Sequence, residues 1–79
     1  MAYQYPYLLV EDSKRDAVWA KGRIIPNFDS KIWRWDICGK VIKYEEHGNT
    51  NSPYGWEIDH INPIAKGGPD TIENSQPLY

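Results

Sequence analysis

Asp59 and His60 stand side by side, and Asn74 follows fourteen residues after His60, in a stretch otherwise built of strand-like and turn-forming residues. The three side chains have complementary chemistry. A neutral imidazole takes a proton from water near neutral pH. A carboxylate is a hard oxygen ligand for a divalent cation such as Mg²⁺. A carboxamide, with donors and an acceptor, can orient an imidazole or tie backbone together across a loop. Together they suit hydrolysis of a phosphodiester: an activated water attacks phosphorus while a metal ion steadies the developing charge. Each residue also has a plainer use, Asp59 and His60 as a hydrogen-bonded pair that stabilises a loop, and Asn74 as a cap or turn former.

The elements that must carry these residues are short. Trp56-Glu57-Ile58-Asp59-His60 alternates as a half-buried strand does, which puts Trp56, Ile58 and His60 on one face and Glu57 and Asp59 on the other. A regular strand therefore keeps Asp59 and His60 apart. A bend at or just after His60 is expected to bring them together, and Asn62-Pro63 supplies one. Lys66-Gly67-Gly68-Pro69-Asp70 is incompatible with regular structure, so an ordered loop should join this strand to a returning one from Ser75 to Tyr79, where Pro77 confines the return to an edge. Lys66 is either a phosphate contact or a solvated loop charge.

Trp56-Glu57-Ile58-Asp59-His60-Ile61, Pro63, Lys66-Gly67-Gly68, Asp70, Asn74 and Gln76-Pro77-Leu78, in that order, resemble the motif of the HNH endonucleases, the ββα-metal or His-Me finger nucleases. The resemblance is close from Trp56 to Tyr79 and looser over Arg34 to Gly39. It implies a DNA endonuclease in which His60 is the general base, Asp59 a metal ligand, and Asn74 the residue that holds the loop and aligns His60. It also implies one divalent metal ion, Mg²⁺ in the first place, with Mn²⁺, Ni²⁺ or Zn²⁺ as alternatives. Many members add a structural zinc held by two Cys pairs. Here the comparable positions carry Trp35 with Cys38, then Leu78-Tyr79, so no four-thiolate site can form and no structural zinc is expected. Aromatic packing by Trp35 and Tyr79 is expected in its place. The family's finger continues into a helix that supplies a second metal ligand. This chain stops at Tyr79, so that helix is expected to be absent, leaving the chain either truncated or inactive. The alternative function is a non-catalytic nucleic-acid-binding or protein-interaction module that retains the finger as scaffold.

Composition bounds the rest. At 79 residues the chain reads as a single domain, 1–79, and one of this size buries only about 60–65% of its unfolded surface. Cys38 is the only cysteine, which excludes internal disulfides, so heavy side chains must compensate. Trp19, Trp33, Trp35 and Trp56 are the expected core. A lone thiol fits a reducing compartment. No basic-then-apolar leader and no apolar run near ~20 residues is visible, so a soluble, cytoplasmic protein without a membrane partner is expected. Oligomeric state is not legible. The net charge of −2 divides into +3 through Tyr44, eight bases against five acids, and −5 from Glu45 onward, one base against six acids. A basic half able to meet phosphate beside an acidic half able to hold a cation suits a nuclease, and an ordinary solvated surface equally.

Ahead of the motif, Met1 to Val10 reads as an extended arm, an edge strand or a partly ordered tail. A helix is expected over 14–21, with Ser13 as N-cap, Gly22 at C′, and Ala17, Val18 and Ala20 facing the core. Ile24 to Pro26 should be extended, and Asn27 to Ser30 should cap a single helical turn reaching Trp33 or Arg34. Asp36–Cys38 and Val41–Tyr44 should form a hairpin about Gly39-Lys40. Glu45 to Gly55 reads as a surface loop in which His47 is either a ligand or, more simply, solvated. The expected class is α+β: an N-terminal helix, a hairpin, and the two strands of a ββα-metal finger.

Overall fold

Helix α1, Asp12–Trp19, opens with an acidic side chain in its first turn, where the exposed backbone N–H groups favour negative charge, and Asp12 pairs with Arg15 one turn on. The computed structural model describes residues 12–79, and the expected N-terminal arm lies outside them. Both ends of α1 fall two residues earlier than the spacing suggests. The C-terminal end tightens through i to i+3 bonds, from Lys21 N–H to Val18 C=O (3.0 Å) and from Gly22 N–H to Trp19 C=O (2.9 Å). Gly22 is not a left-handed cap. It is buried where a Cβ would lie 3.1 Å from both Arg34 Cβ and the Trp35 carbonyl oxygen, so its small size lets the chain cross the neighbouring strand.

Two antiparallel sheets follow, which with α1 make an α+β fold. In the first, β1 (Arg23–Ile24), β2 (Trp33–Trp35) and β3 (Val41–Lys43) lie in that order, with Arg34 opposite both Ile24 and Ile42. The hairpin is present, but its first strand is Trp33–Trp35 rather than Asp36–Cys38. Asp36 is drawn into the turn, where its Oδ1 accepts from the N–H groups of Cys38 (2.9 Å) and Lys40 (2.8 Å). The turn is thus five residues long, and Gly39 still takes the positive φ (88°) that suits glycine. The single helical turn before β2 is capped by Asp29, whose carbonyl accepts from Ile32 and Trp33. In the second sheet β4 (Glu57–His60) pairs with β5 (Ser75–Leu78), matching Glu57 with Leu78, Ile58 with Pro77, Asp59 with Gln76 and His60 with Ser75. Helix α1 packs against β5 and against the 3₁₀ turn Ile72–Asn74 before it.

The core lies between α1 and the sheets and consists of Val18, Trp19, Ile42 and Trp56, with Tyr44 and Ile58 against it. The Trp19 and Trp56 rings meet at 5.2 Å, and Trp19 meets Tyr44 edge-on at 5.4 Å. Their indole N–H groups stay satisfied, donating to the carbonyls of Ser30 (2.9 Å) and Tyr44 (3.1 Å). Burying two indoles contributes roughly 4–6 kcal/mol each before entropy is counted. Trp33 and Trp35, expected in the core, are only half-buried. The pleat explains this: β2 turns one face to α1, and Arg34 occupies it, with its guanidinium over Trp19 and bonded to the carbonyls of Ser30 and Gly22. Trp33 and Trp35 therefore point outward, Trp33 against Tyr54 (5.1 Å) and Trp35 under Arg23.

The expectation that aromatic packing by Trp35 and Tyr79 replaces a zinc site is also corrected: Trp35 is only half-buried and the Tyr79 side chain is exposed. The last residue is joined to the hairpin by Asp36, 3% exposed, whose Oδ2 accepts from Tyr79 N–H at 2.8 Å. One buried carboxylate thus holds three backbone donors on two segments, while the Tyr79 ring stays largely open beneath Lys40. Among the described residues no helix is long and apolar enough to cross a membrane.

Candidate active site

His60 is the last residue of β4, and the ladder stays regular through it: His60 is matched with Ser75, and Ile61 N–H continues to the Asn74 carbonyl at 2.8 Å. The bend comes only at Ile61 and Asn62. Asp59 and His60 consequently leave the ladder on opposite faces, and the expected bend does not bring them together. His60 shares its face with Trp56, Ile58 and the buried Ser75 and Pro77, the side that meets α1. Asp59 shares the other face with Glu57 and lines a cleft of about 430 Å³ whose walls include Asn49, Trp56 and Tyr79. Its Oδ2 accepts from the amide of Gln76, directly across the ladder, at 3.0 Å.

The partner of the imidazole is Asp70. His60 Nε2 lies 2.9 Å from Asp70 Oδ1, and Lys14 Nζ, reaching over from α1, lies 3.2 Å from the same oxygen. These two neighbours, the imidazole first, hold the Asp70 carboxyl below its ordinary pKa. The His60 side chain is 25% exposed, so solvent reaches it.

Asn74 organises the loop. Its Oδ1 accepts from Asn62 N–H (2.9 Å), and its Nδ2 donates to the carbonyls of Asn62 (2.9 Å) and Pro69 (2.8 Å). Those bonds fold residues 61 to 69 into a closed loop. Gly68 is required inside it, because a Cβ there would sit 1.8 Å from the Asn62 carbonyl oxygen. Asn74 reaches backbone, not His60, so its influence on the imidazole runs through the loop that carries Asp70. Lys21, just beyond α1, donates to the carbonyls of Ile72 and of Ser75, tying the loop's far end to the helix. Lys66 is exposed at the end of the 3₁₀ turn Ile64–Lys66.

The profile of the HNH endonuclease family matches residues 36–79, over half of the chain. The chain belongs to the HNH endonuclease family. Comparison with curated proteins and with solved structures gives no match. The stretch matched in this HNH chain includes β4, β5 and residues 61–74 between them. Among the described residues no three His, Cys, Asp or Glu side chains converge as a metal-holding group.

Three residues at this site were missed in the sequence. Asp70 stands in the motif itself but nothing local marks it as the partner of an imidazole ten residues away. Gln76 follows from the register once β4 and β5 are paired. Lys14 carries no signal, since only tertiary packing brings α1 to the loop. His47, read as an exposed loop residue, instead bridges to Trp56 with ring centroids 4.7 Å apart, and burial, aided by the charge of Arg15, holds its pKa below the ordinary 6.5.

Proposed function

We propose that this HNH protein is a divalent-metal-dependent DNA endonuclease in which His60 is the general base, Asn74 fixes the loop beside it, Asp59 is a metal ligand and Lys66 contacts phosphate. The observation that supports this best is the placement of His60: a part-exposed imidazole at a strand end, held by a carboxylate, within a loop closed by Asn74. His60 takes the proton of the attacking water. Asn74 limits how far the loop around that imidazole can move. Asp59, with one oxygen engaged by Gln76, fits a hard cation that keeps water and phosphate oxygens as its other ligands, as Mg²⁺ does. Such an ion, when bound, neutralises charge on the phosphate and the leaving oxygen. The chain is taken as one domain over 1–79.

Plasmid nicking in Mg²⁺ tests the reading. His60→Ala should lower the rate by about 10²–10⁴, the usual value of a positioned base, with the fold left intact. Cleavage at the wild-type rate would reject His60 as base. A second reading, a non-catalytic DNA-binding or interaction module, is favoured by the placement of Asp59 and His60 on opposite faces of the ladder. Salt-sensitive DNA binding with no cleavage in Mg²⁺, Mn²⁺, Ni²⁺ or Zn²⁺ would select it.

A further inference from the structure

We infer that Asp70 is the positioning residue that makes Nδ1 of His60 the proton-accepting nitrogen, and that Lys14 of α1 holds Asp70 in place for that task. An ionised carboxylate only accepts hydrogen bonds. The 2.9 Å contact between His60 Nε2 and Asp70 Oδ1 therefore puts the hydrogen of the neutral imidazole on Nε2. The lone pair is left on Nδ1, to which no described residue supplies a hydrogen bond. The same contact fixes the ring's rotation about its Cβ–Cγ bond.

Asp70 sits on a loop with few apolar anchors, so its own position needs support. Lys14 Nζ, 3.2 Å from the same oxygen, provides it from the rigid helix. Pro69, the residue before Asp70, is held from the other side through its carbonyl by Asn74. Three elements are thus linked through the Asp70 carboxylate: strand β4, the loop and α1. Proton transfer in catalysis goes from water to Nδ1, and the charge then on the ring is balanced across Nε2 by the Asp70 carboxylate, which keeps its own charge throughout.

The inference rests on His60 as base, and two measurements separate its failure from failure of that reading. The first is nicking kinetics. Asp70→Asn, whose amide can turn its NH₂ toward Nε2 and favour the other tautomer, should lower kcat about 10- to 100-fold, less than the ~10⁴ of a fully buried partner, with KM for DNA unchanged. Asp70→Glu should restore part of the loss, and Lys14→Met should cost only a few-fold. The second is the ¹⁵N–¹H spectrum of the imidazoles, simple to assign with two histidines in the chain and His60→Ala as reference. The wild type should show Nε2–H at His60, and Asp70→Asn a shift toward Nδ1–H. Full activity of Asp70→Asn beside an inactive His60→Ala overturns the inference and leaves the base reading standing, as does an unchanged tautomer ratio. Full activity of His60→Ala overturns both.

Discussion

The α1 side of the molecule and the loop between β4 and β5 are held together by different physics. Around Trp19, Ile42 and Trp56 the chain is joined by apolar contact, with side chains at 5% exposure or less. Across residues 61 to 74 only Gly68 is buried and only Asn74 is half-buried, yet the loop has a defined path. Its path is set by side chain to backbone bonds from Asn74, by the His60–Asp70 contact, and by two lysines, Lys14 on α1 and Lys21 just beyond it. Apolar packing is non-directional and degrades gradually when altered, whereas a carboxamide that satisfies three backbone groups either fits or does not. A candidate site built the second way can hold an imidazole precisely oriented while staying open to a substrate.

The largest effect should come from the apolar side. Trp56→Ala removes a ring that is 1% exposed and should cost about 3–5 kcal/mol, most of the stability that a domain of this size has. Urea titration followed by near-ultraviolet circular dichroism measures it. A cost under about 1.5 kcal/mol, within the range of a tolerated swap, would mean that the aromatic cluster is not what holds the molecule together.

Asn74→Ala should act locally. Losing its bonds should cost about 1–3 kcal/mol, expressed as opening of the loop rather than of the whole fold. Hydrogen exchange reads the difference: the amides of Asn62 and Gly68 should lose protection while that of Ile42 keeps its own. Equal losses at both places would show one cooperative unit and break the contrast. Nicking should fall with loop protection, because Asp70 moves with it.

The smallest effect is a pH dependence that touches both regions at different pH. His47, packed on Trp56, has its pKa held below 6.5 by burial. The unfolded chain therefore takes up that proton first as pH falls. The stability it contributes is complete above about 6.5 and declines as pH drops through the lowered native value. Asp70, also held low, contributes stability above the ordinary carboxylate value of 3.8 that is lost only in stronger acid. Half-exposure of its side chain keeps that second step small. Urea midpoints at pH 7.5, 5.5 and 3.5 should show the first decline, and His47→Gln should remove it. A decline that survives this substitution would move its origin away from the core.

Much of the fold was legible in the residues themselves. The alternation from Trp56 to His60, the turn residues from Asn62 to Asp70 and Pro77 on a returning strand led to the β4–β5 ladder, and the order of Asp59, His60, Gly67-Gly68 and Asn74 led to the family. Residues 14–21, between Ser13 and Gly22, read as a helix, only two residues out of place. What failed had a common cause. Size alone points Trp33 and Trp35 inward, but orientation on a three-residue strand is set by which face meets α1, and Arg34 takes that face. Asp36 read as a strand residue because its hydrogen bonds to Tyr79 and to the turn depend on distant chain.

The sequence by itself determined the family, the α+β class, the strand pair and the residue types at the candidate site, because periodicity, turn chemistry and motif order are local properties. Only the tertiary structure decided that Asp59 and His60 face opposite ways, that Asp70 meets the imidazole and Lys14 meets Asp70, and that Asn74 closes the loop instead of touching His60. Those are contacts between residues up to 56 positions apart, and no local preference encodes where a helix will lay its lysine.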